Sequence, residues 1–428
     1  MRVALLNPPW RFDGSIYFGC RAPHLPLELA GAKLMLEQRG HLALMLDAHL
    51  NPATSAELAA EALGFRPDII VVTTAPSYLF WRCAPPELTV PRELLRHLEA
   101  AGAMTVAVGP HGSATPSAAL RKLGVDIVLR GECEEAIADM ADAGTPGGVA
   151  GAAWRDGGAI RVNGPPVAAQ FVDLPALAWP DAWIVRHRHH HHRFDREPDG
   201  PAAEVEASRG CPYACTFCAK IDYRDRYRRR ALPAVLAEID ALVRQGVTYV
   251  YFIDEIFLPR RPLLEALRER PVAFGVQTRI DLWTPEMLDL LGEAGCVSVE
   301  AGVESLTPEG RAALDKKCRL GTEELAALLV RARRSIPFVQ ANLIKSEGDD
   351  AEAIAAWREG LRQEGVWAND PVPLFPYPSS PDYRRLWGEP DDQAWERAHA
   401  HYLAQFDQFS DIQETRPLPL PELEACAC

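Results

Sequence analysis

The feature that most constrains this chain is a regular alternation of short apolar runs with stretches long enough for a helix. In the first 140 residues five such runs occur, at 3–6, 42–46, 69–72, 106–108 and 127–129. This alternation is typical of a doubly wound α/β domain, whose parallel sheet binds ligands at the carboxyl ends of its strands. We therefore predict an α/β fold in which residues 1–140 form a Rossmann-like domain.

The alternation resumes in the second half of the chain. Strand-like runs lie at 204–208, 248–253, 272–277, 297–303, 337–344 and about 366–373, and helix-length stretches such as 232–245 and 322–334 separate them. Six β/α units in succession predict an open (β/α)6 barrel over residues 204–385. We expect residues 141–203 to hold a small hairpin and a histidine-rich connector, and residues 386–428 to form a helical and Pro-rich tail or cap.

Charge and composition exclude several classes of function. The chain has 45 basic and 59 acidic residues, so its formal charge is 45 − 59 = −14, which argues against nucleic acid or an anionic membrane as the main partner. Its first apolar run is too short for a signal peptide, and none approaches the roughly 20 residues of a membrane span. Ten cysteines without an export signal predict a reducing cytoplasm and metal binding rather than disulfides.

Three of those cysteines form a C-x3-C-x2-C triplet, Cys211, Cys215 and Cys218, directly after the strand-like run 203–208. Three thiolates leave one iron of a [4Fe–4S] cluster open to another ligand, whereas ferredoxins close the cluster with a fourth cysteine. The same spacing could also mark one face of a buried helix. Gly210 and Pro212 oppose that reading, because they favour a loop. A zinc site would need a fourth cysteine or histidine at a regular spacing.

Strand parity predicts a polar barrel interior. Side chains alternate between the two faces of a strand, and one parity of three predicted strands carries mainly polar groups and glycine. These residues are Gly275, Gln277 and Arg279, then Ser298, Glu300, Gly302 and Glu304, then Gln340 and Asn342. In a barrel whose interior has only a structural role, branched apolar side chains fill such positions. Any one of these residues could instead form a structural ion pair, but the whole set favours a bound ligand.

The second half resembles the radical S-adenosylmethionine (SAM) enzymes. The resemblance rests on Cys211, Cys215, Phe217 and Cys218, on Arg279-Ile-Asp, and on Gly302-Val-Glu-Ser305. It implies a [4Fe–4S] cluster held by the three catalytic cysteines. It also implies that SAM binds the open iron through its amine and carboxylate, and that an electron from the cluster cleaves SAM to a 5′-deoxyadenosyl radical.

The resemblance also implies a SAM site. Phe217 would lie by the adenine, and Asp254 stands where the family usually has a Gly-Gly-Glu run that contacts the SAM amine. Gln277 and Glu304 would meet the ribose hydroxyls, and Lys316 or Arg279 the SAM carboxylate, which suits hydrogen-bonding groups and cations respectively. Glu300 and Asn342, on the same inward faces, complete the expected set.

The first half resembles the cobalamin-binding domain fused to many radical SAM enzymes. The resemblance rests on Asn7-Pro-Pro9, His24-Leu-Pro-Leu-Glu28, Gly109-Pro-His-Gly112 and Arg130-Gly-Glu132 in that order. It implies cobalamin as a second cofactor. The first loop lacks the Asp-x-His-x-x-Gly motif that supplies a cobalt ligand, and Asp47-Ala-His49 is interpreted as an ordinary loop, so we expect no histidine on cobalt.

The expected cobalamin contacts lie in the loops that follow the strands. They are Pro8, Thr73, Thr74, Ser77, Tyr78, Gly109, His111, Gly112, Gly131 and Glu132. Tyr78, with Phe80 and Trp81, would either shield the lower face of the corrin or pack into the domain core.

Together the two resemblances imply cobalamin-dependent radical SAM methylation of an unactivated carbon in a polar small molecule. The enzymatic alternative is a rearrangement, cyclisation or ring contraction without methyl transfer, and the non-enzymatic one is a corrinoid-binding sensor or carrier. A reducing partner such as flavodoxin or ferredoxin is implied, with no nucleic acid and no membrane. The histidine-rich run 187–192 is either a solvated polar loop or a set of imidazoles that lines the domain junction or binds metal.

Overall fold

The computed structural model describes residues 1–16, 22–77, 83–99, 102–187, 199–220, 224, 226–346, 348–406 and 415–425. Two large sheets organise these residues, one of seven strands and one of six, and a two-stranded ribbon follows the first strand of the six-stranded sheet in the sequence. None of the helices in these ranges is long and apolar enough to cross a bilayer.

The N-terminal sheet contains all five strands expected for the first 140 residues. Its strands are β1 (Arg2–Asn7), β2 (Leu42–Asp47), β3 (Ile69–Thr73), β4 (Met104–Val108), β5 (Ile127–Leu129), β6 (Ala152–Asp156) and β7 (Ala159–Val162). They lie in the order β2-β1-β3-β4-β5-β6-β7, and the first five are parallel. The doubly wound fold is therefore confirmed. The expected hairpin is β6–β7, and it continues this sheet antiparallel to β5, beyond residue 140.

The helices of this half lie on both faces of the sheet. They are Leu27–Gln38, Ser55–Gly64, Thr89–Arg96, Pro110–Ala114, Pro116–Leu123 and Cys133–Ala143, with Asp181–Arg186 in the connector. Strand parity divides the core accordingly: Leu6 and Val72 pack with the helix Ser55–Gly64, whereas Leu5 and Val71 belong to a core that continues into the second half of the chain. The two halves thus share one apolar interior.

The order of the N-terminal strands sets the position of its ligand edge. The strand order reverses between β1 and β3, and doubly wound sheets bind ligands in the crevice at the carboxyl ends of such a pair. Asn7 ends β1 and Thr73 ends β3, and the Thr73 hydroxyl donates to Asn7 Oδ1 over 3.1 Å.

The second sheet is parallel and has its six strands in sequence order. They are β8 (Ala202–Val205), β11 (Tyr249–Phe252), β12 (Ala273–Thr278), β13 (Cys296–Glu304), β14 (Phe338–Leu343) and β15 (Trp367–Ala368), whereas β9 (Ser208–Arg209) and β10 (Arg228–Arg229) form the ribbon. The intervening helices are Leu232–Arg244, Arg261–Arg268, Pro285–Glu293, Pro308–Ala313, Thr322–Ser335 and Ala351–Gln363. Sequential β/α units of this kind are what the open (β/α)6 barrel requires.

The C-terminal segment contacts both halves of the molecule. Its helices are Pro381–Trp387, Ala394–Gln405 and Leu420–Ala425. Asp382 accepts a hydrogen bond from Thr216 Oγ1 over 3.1 Å, next to the second cysteine of the triplet. Trp395 Nε1 donates to Thr115 Oγ1 over 3.1 Å, on the N-terminal domain. This segment therefore bridges the two domains.

Candidate active site

The cysteine triplet lies on a loop between β8 and the helix Leu232–Arg244, as the sequence predicts. The ribbon β9–β10 joins the two ends of that loop, because Arg209 and Arg228 are paired in antiparallel register. All three cysteines lie outside disulfides and are of intermediate burial. Among the described residues one group of three possible metal ligands lies within 4.8 Å, and it does not contain these cysteines, which disfavours a single zinc ion on the loop.

Gly210 permits the close approach of the two ends of the loop. Its φ is +80°, and a Cβ at this position would lie 2.2 Å from the carbonyl oxygen of Arg226. The Gly210 N–H donates to Glu255 Oε2 over 2.7 Å. A residue with a side chain would therefore be strained and would also collide with backbone atoms.

Several positive charges surround the thiols. Burial raises the pKa of Cys211 and Cys215, and Lys220, Arg279 and Lys316 act in the opposite direction. Lys220 Nζ also donates to the carbonyl oxygen of Cys211 over 2.6 Å. Cations in these positions favour the thiolate forms that ligate metal.

Glu304 and Lys316 lie together near Cys215, at the carboxyl end of β13. Lys316 Nζ is 3.1 Å from Glu304 Oε1, and only 2% of the Lys316 side chain is exposed. Glu304 has a φ of +70°, which is uncommon for a non-glycine residue and recurs at functional sites. The structure thus brings together two residues that the sequence assigned to one ligand.

Arg279 is held beside the loop by two contacts. Its guanidinium lies 4.1 Å from the centroid of the Tyr213 ring, and Nε and Nη2 contact the Asp281 carboxylate at 3.1 and 2.7 Å. Arg279 Nη1 is buried and has no hydrogen-bond partner among the described residues. This N–H is available to an anionic ligand.

The polar inward faces form a continuous surface across three strands. Gln277, Glu300 and Gln340 are paired in register on β12, β13 and β14, and Gly302 pairs with Asn342 in the same way. Gln340 Nε2 donates to Asn342 Oδ1 over 2.5 Å. The predicted shared face is therefore confirmed. Phe217, partly buried, lies on the cysteine loop.

Asp254 does not face this surface. It is 2% exposed and accepts hydrogen bonds from Ala207 N over 2.8 Å and from Ser208 Oγ. Burial raises the pKa of Asp254 to about 8. The carboxylate therefore fastens the turn between β8 and the ribbon, and its predicted contact with the SAM amine stays a prediction.

The expected cobalamin contacts line the carboxyl edge of the N-terminal sheet. Thr74 Oγ1 and Ser77 Oγ are buried and have no hydrogen-bond partner among the described residues. Gly109, at a φ of +128°, approaches Thr74 so closely that a Cβ would lie 2.4 Å from Oγ1. Buried polar atoms need partners, so this edge fits a polar ligand such as the tail of a corrinoid.

The other residues of this set occupy several environments. His111 stacks on Trp395, with ring centroids 4.2 Å apart, and burial lowers its pKa to about 3, so the ring is neutral. Gly112 lies in the helix Pro110–Ala114, Gly131 N donates to Ser113 Oγ, and Pro8 follows β1. Tyr78, Phe80 and Trp81 lie outside the described residues.

Glu132 is an interdomain residue rather than part of an open edge. Its carboxylate accepts from Arg228 and from Ala169 N and lies 3.2 Å from Arg209 Nη1, with 1% of the residue exposed. These contacts place Glu132 between the domains, and its predicted contact with cobalamin stays a prediction. The Asp47 carboxylate accepts from Asn7 Nδ2 and from two backbone N–H groups of its own turn.

Glu132 belongs to a buried ionic cluster that the sequence reading missed. Arg209 contacts Glu134 and Glu206 at 2.7 Å each, and Arg224 contacts Glu206 and also Glu255, the latter at 2.7 Å. Burial alone would raise the pKa of Glu206, but the two guanidinium groups hold it at about 2. The cluster ties the cysteine loop to the helix Cys133–Ala143 of the N-terminal domain. The only signal for it was the polar pair before Gly210.

Comparison with known families and proteins agrees with this geometry. The model of the radical SAM superfamily matches residues 205–357. An uncharacterized methyltransferase, PH0819, of Pyrococcus horikoshii is 24% identical over 72% of this chain and 66% of its own length. The anaerobic magnesium-protoporphyrin IX monomethyl ester cyclase of Cereibacter sphaeroides is 25% identical over 90% of this chain and 64% of its own length. The chain thus spans about two thirds of the length of these relatives.

Solved structures share the two-domain arrangement. The radical SAM methyltransferase TsrM of Kitasatospora setae, determined with cobalamin and a [4Fe–4S] cluster, superposes with a TM-score of 0.66 at 21% identity, over 89% of this chain and 73% of that one. The cobalamin-dependent enzyme OxsB, determined with aqua-cobalamin, gives a TM-score of 0.63 at 18% identity, over 80% and 49%. The fold is therefore a Rossmann-like sheet domain followed by a partial barrel.

Proposed function

Because residues 205–357 form a radical SAM domain, we propose that this chain is a cobalamin-dependent radical SAM enzyme that methylates an unactivated carbon of a small molecule. One observation carries the proposal: the buried Arg209 cluster ties the cysteine loop to the N-terminal domain, whose sheet has a ligand edge. Methylation with two cofactors needs two cofactor sites held in a fixed position relative to each other. The likeness to TsrM and to PH0819, both named as methyltransferases, supports the choice of reaction.

Cys211, Cys215 and Cys218 would hold a [4Fe–4S] cluster, and the cations beside them would stabilise its thiolates. Given an electron from a donor, a cluster held there would supply reductive cleavage of SAM and, through it, hydrogen-atom abstraction from the substrate. Lys316 and Arg279 Nη1 would receive the SAM carboxylate, since both are buried cations near Cys215. Gln277 and Glu304 would orient the ribose, with Glu300 and Asn342 beside them.

The N-terminal edge would hold cobalamin. Thr74 Oγ1 and Ser77 Oγ would gain the partners that they lack among the described residues, and Gly109 lets the backbone approach a ligand closely. Cobalamin held there would supply a methyl group to a substrate carbon. A second SAM would be the source of that group, after one further electron from the reducing partner has returned the cobalt to Co(I). The other proposed contacts near the same edge are Thr73, His111, Gly112, Gly131, Glu132 and Pro8.

We further propose two domains with boundaries close to those predicted, 1–140 and 204–385. The sheet of the first domain continues through the hairpin to residue 162. A flavodoxin or ferredoxin in the cytoplasm would deliver the electron. The inward polar layer favours a polar substrate; in one TsrM structure, which shares 20% identity with this chain, that substrate is tryptophan.

A second candidate is cyclisation without net methyl transfer. It is favoured by the likeness to the magnesium-protoporphyrin IX monomethyl ester cyclase, which extends over 90% of this chain. Turnover products separate the two reactions. Methylated product with S-adenosylhomocysteine supports methylation, and deoxyadenosine without S-adenosylhomocysteine supports cyclisation.

The decisive experiment is anaerobic reconstitution of the full chain, followed by iron, sulfide and cobalamin analysis and by assay of deoxyadenosine after reduction. The matched control is a triple variant that combines Cys211→Ala, Cys215→Ala and Cys218→Ala. We expect the unmodified chain to bind a cluster and cleave SAM, and the triple variant to do neither. A chain that binds cobalamin but retains no iron and forms no deoxyadenosine is instead a corrinoid sensor or carrier.

A further inference from the structure

Three ligating side chains meet at a second place in the fold, outside the cysteine loop. His24 precedes the helix Leu27–Gln38, His187 follows the helix Asp181–Arg186, and Glu204 lies on β8. Their exposed fractions are 2%, 1% and 0%. His24 Nδ1 is 2.5 Å from Glu204 Oε1, and His187 Nε2 is 3.9 Å from Glu204 Oε2.

The hydrogen bond of His187 fixes the role of its two ring nitrogens. His187 Nδ1 is 2.8 Å from the carbonyl oxygen of Ala202, which can only accept, so Nδ1 carries the proton. Nε2 is then the ring nitrogen that faces a carboxylate oxygen of Glu204, 3.9 Å away. A metal ion between these two atoms would be bound by both of them. Histidines that ligate metals are commonly oriented by such a carbonyl.

The donor set and its spacing match a transition-metal site. The ligand atoms of the three residues all lie within 4.8 Å of one another. Two histidines and one carboxylate are a frequent set for zinc, with ligands at about 2.0–2.2 Å, which places neighbouring ligand atoms roughly 3.3 Å apart. To reach that spacing, the 3.9 Å distance from His187 Nε2 to Glu204 Oε2 has to contract by about half an ångström. The 2.5 Å hydrogen bond between His24 Nδ1 and Glu204 Oε1 has to lengthen by about 0.8 Å as the ion replaces its proton.

The three residues also join separate parts of the molecule. His24 comes from the N-terminal domain, His187 from the connector, and Glu204 from the first barrel strand, 180 residues from His24. An ion shared by them would fasten the two domains to each other. This role is independent of the cysteine loop, which has its own donors.

We propose that His24, His187 and Glu204 bind one divalent transition-metal ion, best matched by zinc, which clips the N-terminal domain to the barrel. The test uses the full chain with its iron–sulfur cluster reconstituted, incubated with Zn²⁺ and freed of loose metal by gel filtration. Elemental analysis should find about one zinc per chain. Co²⁺ in place of Zn²⁺ should give the visible absorption of a nitrogen- and oxygen-ligated site.

Matched variants assign the ion to these side chains. His187→Gln and Glu204→Gln should lose the bound zinc, whereas His97→Gln, at an exposed position, should retain it. Histidine-rich runs can bind zinc on their own, so a further variant combines His189→Ser, His190→Ser, His191→Ser and His192→Ser. This variant should also retain the zinc. Zinc that disappears with the run but persists in Glu204→Gln overturns the proposal.

Diffraction from the unmodified protein decides the matter even where a variant does not fold. Crystals grown with Zn²⁺ should show an anomalous peak at the zinc edge within bonding distance of His24, His187 and Glu204. The absence of that peak, with the three side chains ordered, would mean that a protonated histidine balances Glu204, and the metal site would be rejected.

Discussion

Gly210→Ala should disable the cysteine loop, and Gly246→Ala is its matched control. Both glycines have a left-handed φ, +80° and +89°, but only the first is crowded: a Cβ at 210 lies 2.2 Å from Arg226 O, whereas one at 246 meets nothing within 4 Å. The left-handed backbone costs an L-residue about 1–2 kcal/mol. A collision in a packed region adds about 1–3 kcal/mol, so we expect about 2–5 kcal/mol for Gly210→Ala and about 1–2 kcal/mol for the control.

Two measurements test this difference. The midpoint of thermal unfolding should fall further for Gly210→Ala, by roughly 2–12 °C beyond the control, since each kcal/mol shifts it by about 2–4 °C in domains of this size. Iron retained after anaerobic reconstitution should drop sharply in Gly210→Ala alone, because the residue adjoins Cys211 and its N–H donates to Glu255. Equal iron and equal midpoints in the two variants would refute the close approach on which the reasoning depends.

Three further changes probe the neighbourhood of the loop. Lys316→Met should weaken SAM binding about 10–100-fold in equilibrium dialysis, which is the contribution of a charge-assisted hydrogen bond. Lys317→Met, which changes an exposed neighbour, should leave the affinity for SAM unchanged, and equal affinities in the two variants would contradict the assignment. Asp254 has its pKa raised from 3.8 to about 8 by burial, so the folded state holds a proton that the unfolded state has lost, and stability should fall as the pH rises through that window. Asp254→Asn should flatten this pH dependence in denaturant unfolding, and an unchanged slope would count against it. Arg209→Met should lower the free energy of unfolding by about 3–5 kcal/mol, because it leaves buried carboxylates uncompensated. Arg161→Met, in an exposed ion pair, should lower it by at most about 1 kcal/mol. Similar losses of both variants in denaturant unfolding would show that the ionic cluster does not hold the loop.

The strands could be predicted because apolar periodicity is a local signal. Runs such as 69–72 and 337–344 correspond to Ile69–Thr73 and Phe338–Leu343, and parity correctly placed Gln277, Glu300 and Gln340 on one face. The cysteine loop was also readable, since its spacing and its flanking glycine and proline are contiguous. These features need no knowledge of the tertiary structure.

The interdomain contacts could not be read in the same way. Arg209 meets Glu134 across 75 residues of sequence, and His24 meets Glu204 across 180, so no local pattern indicates either pair. Asp254 was assigned by analogy with a motif that this chain does not carry. Its position after an apolar strand is equally compatible with a turn-fastening role, and only the structure reveals its contacts with Ala207 and Ser208.

The contact between Thr216 and Asp382 has a consequence for biosynthesis. These residues are 166 positions apart, and the Trp395–Thr115 contact spans 280. A ribosome adds residues at about 5–20 per second, so the cysteine loop waits roughly 8–33 s before the segment that braces it has been made. During that interval the Arg209 cluster can already hold the loop to the N-terminal domain, but the contact from Asp382 is not yet available. Metal delivered to the nascent chain would therefore meet the cysteine loop before its C-terminal contact has formed.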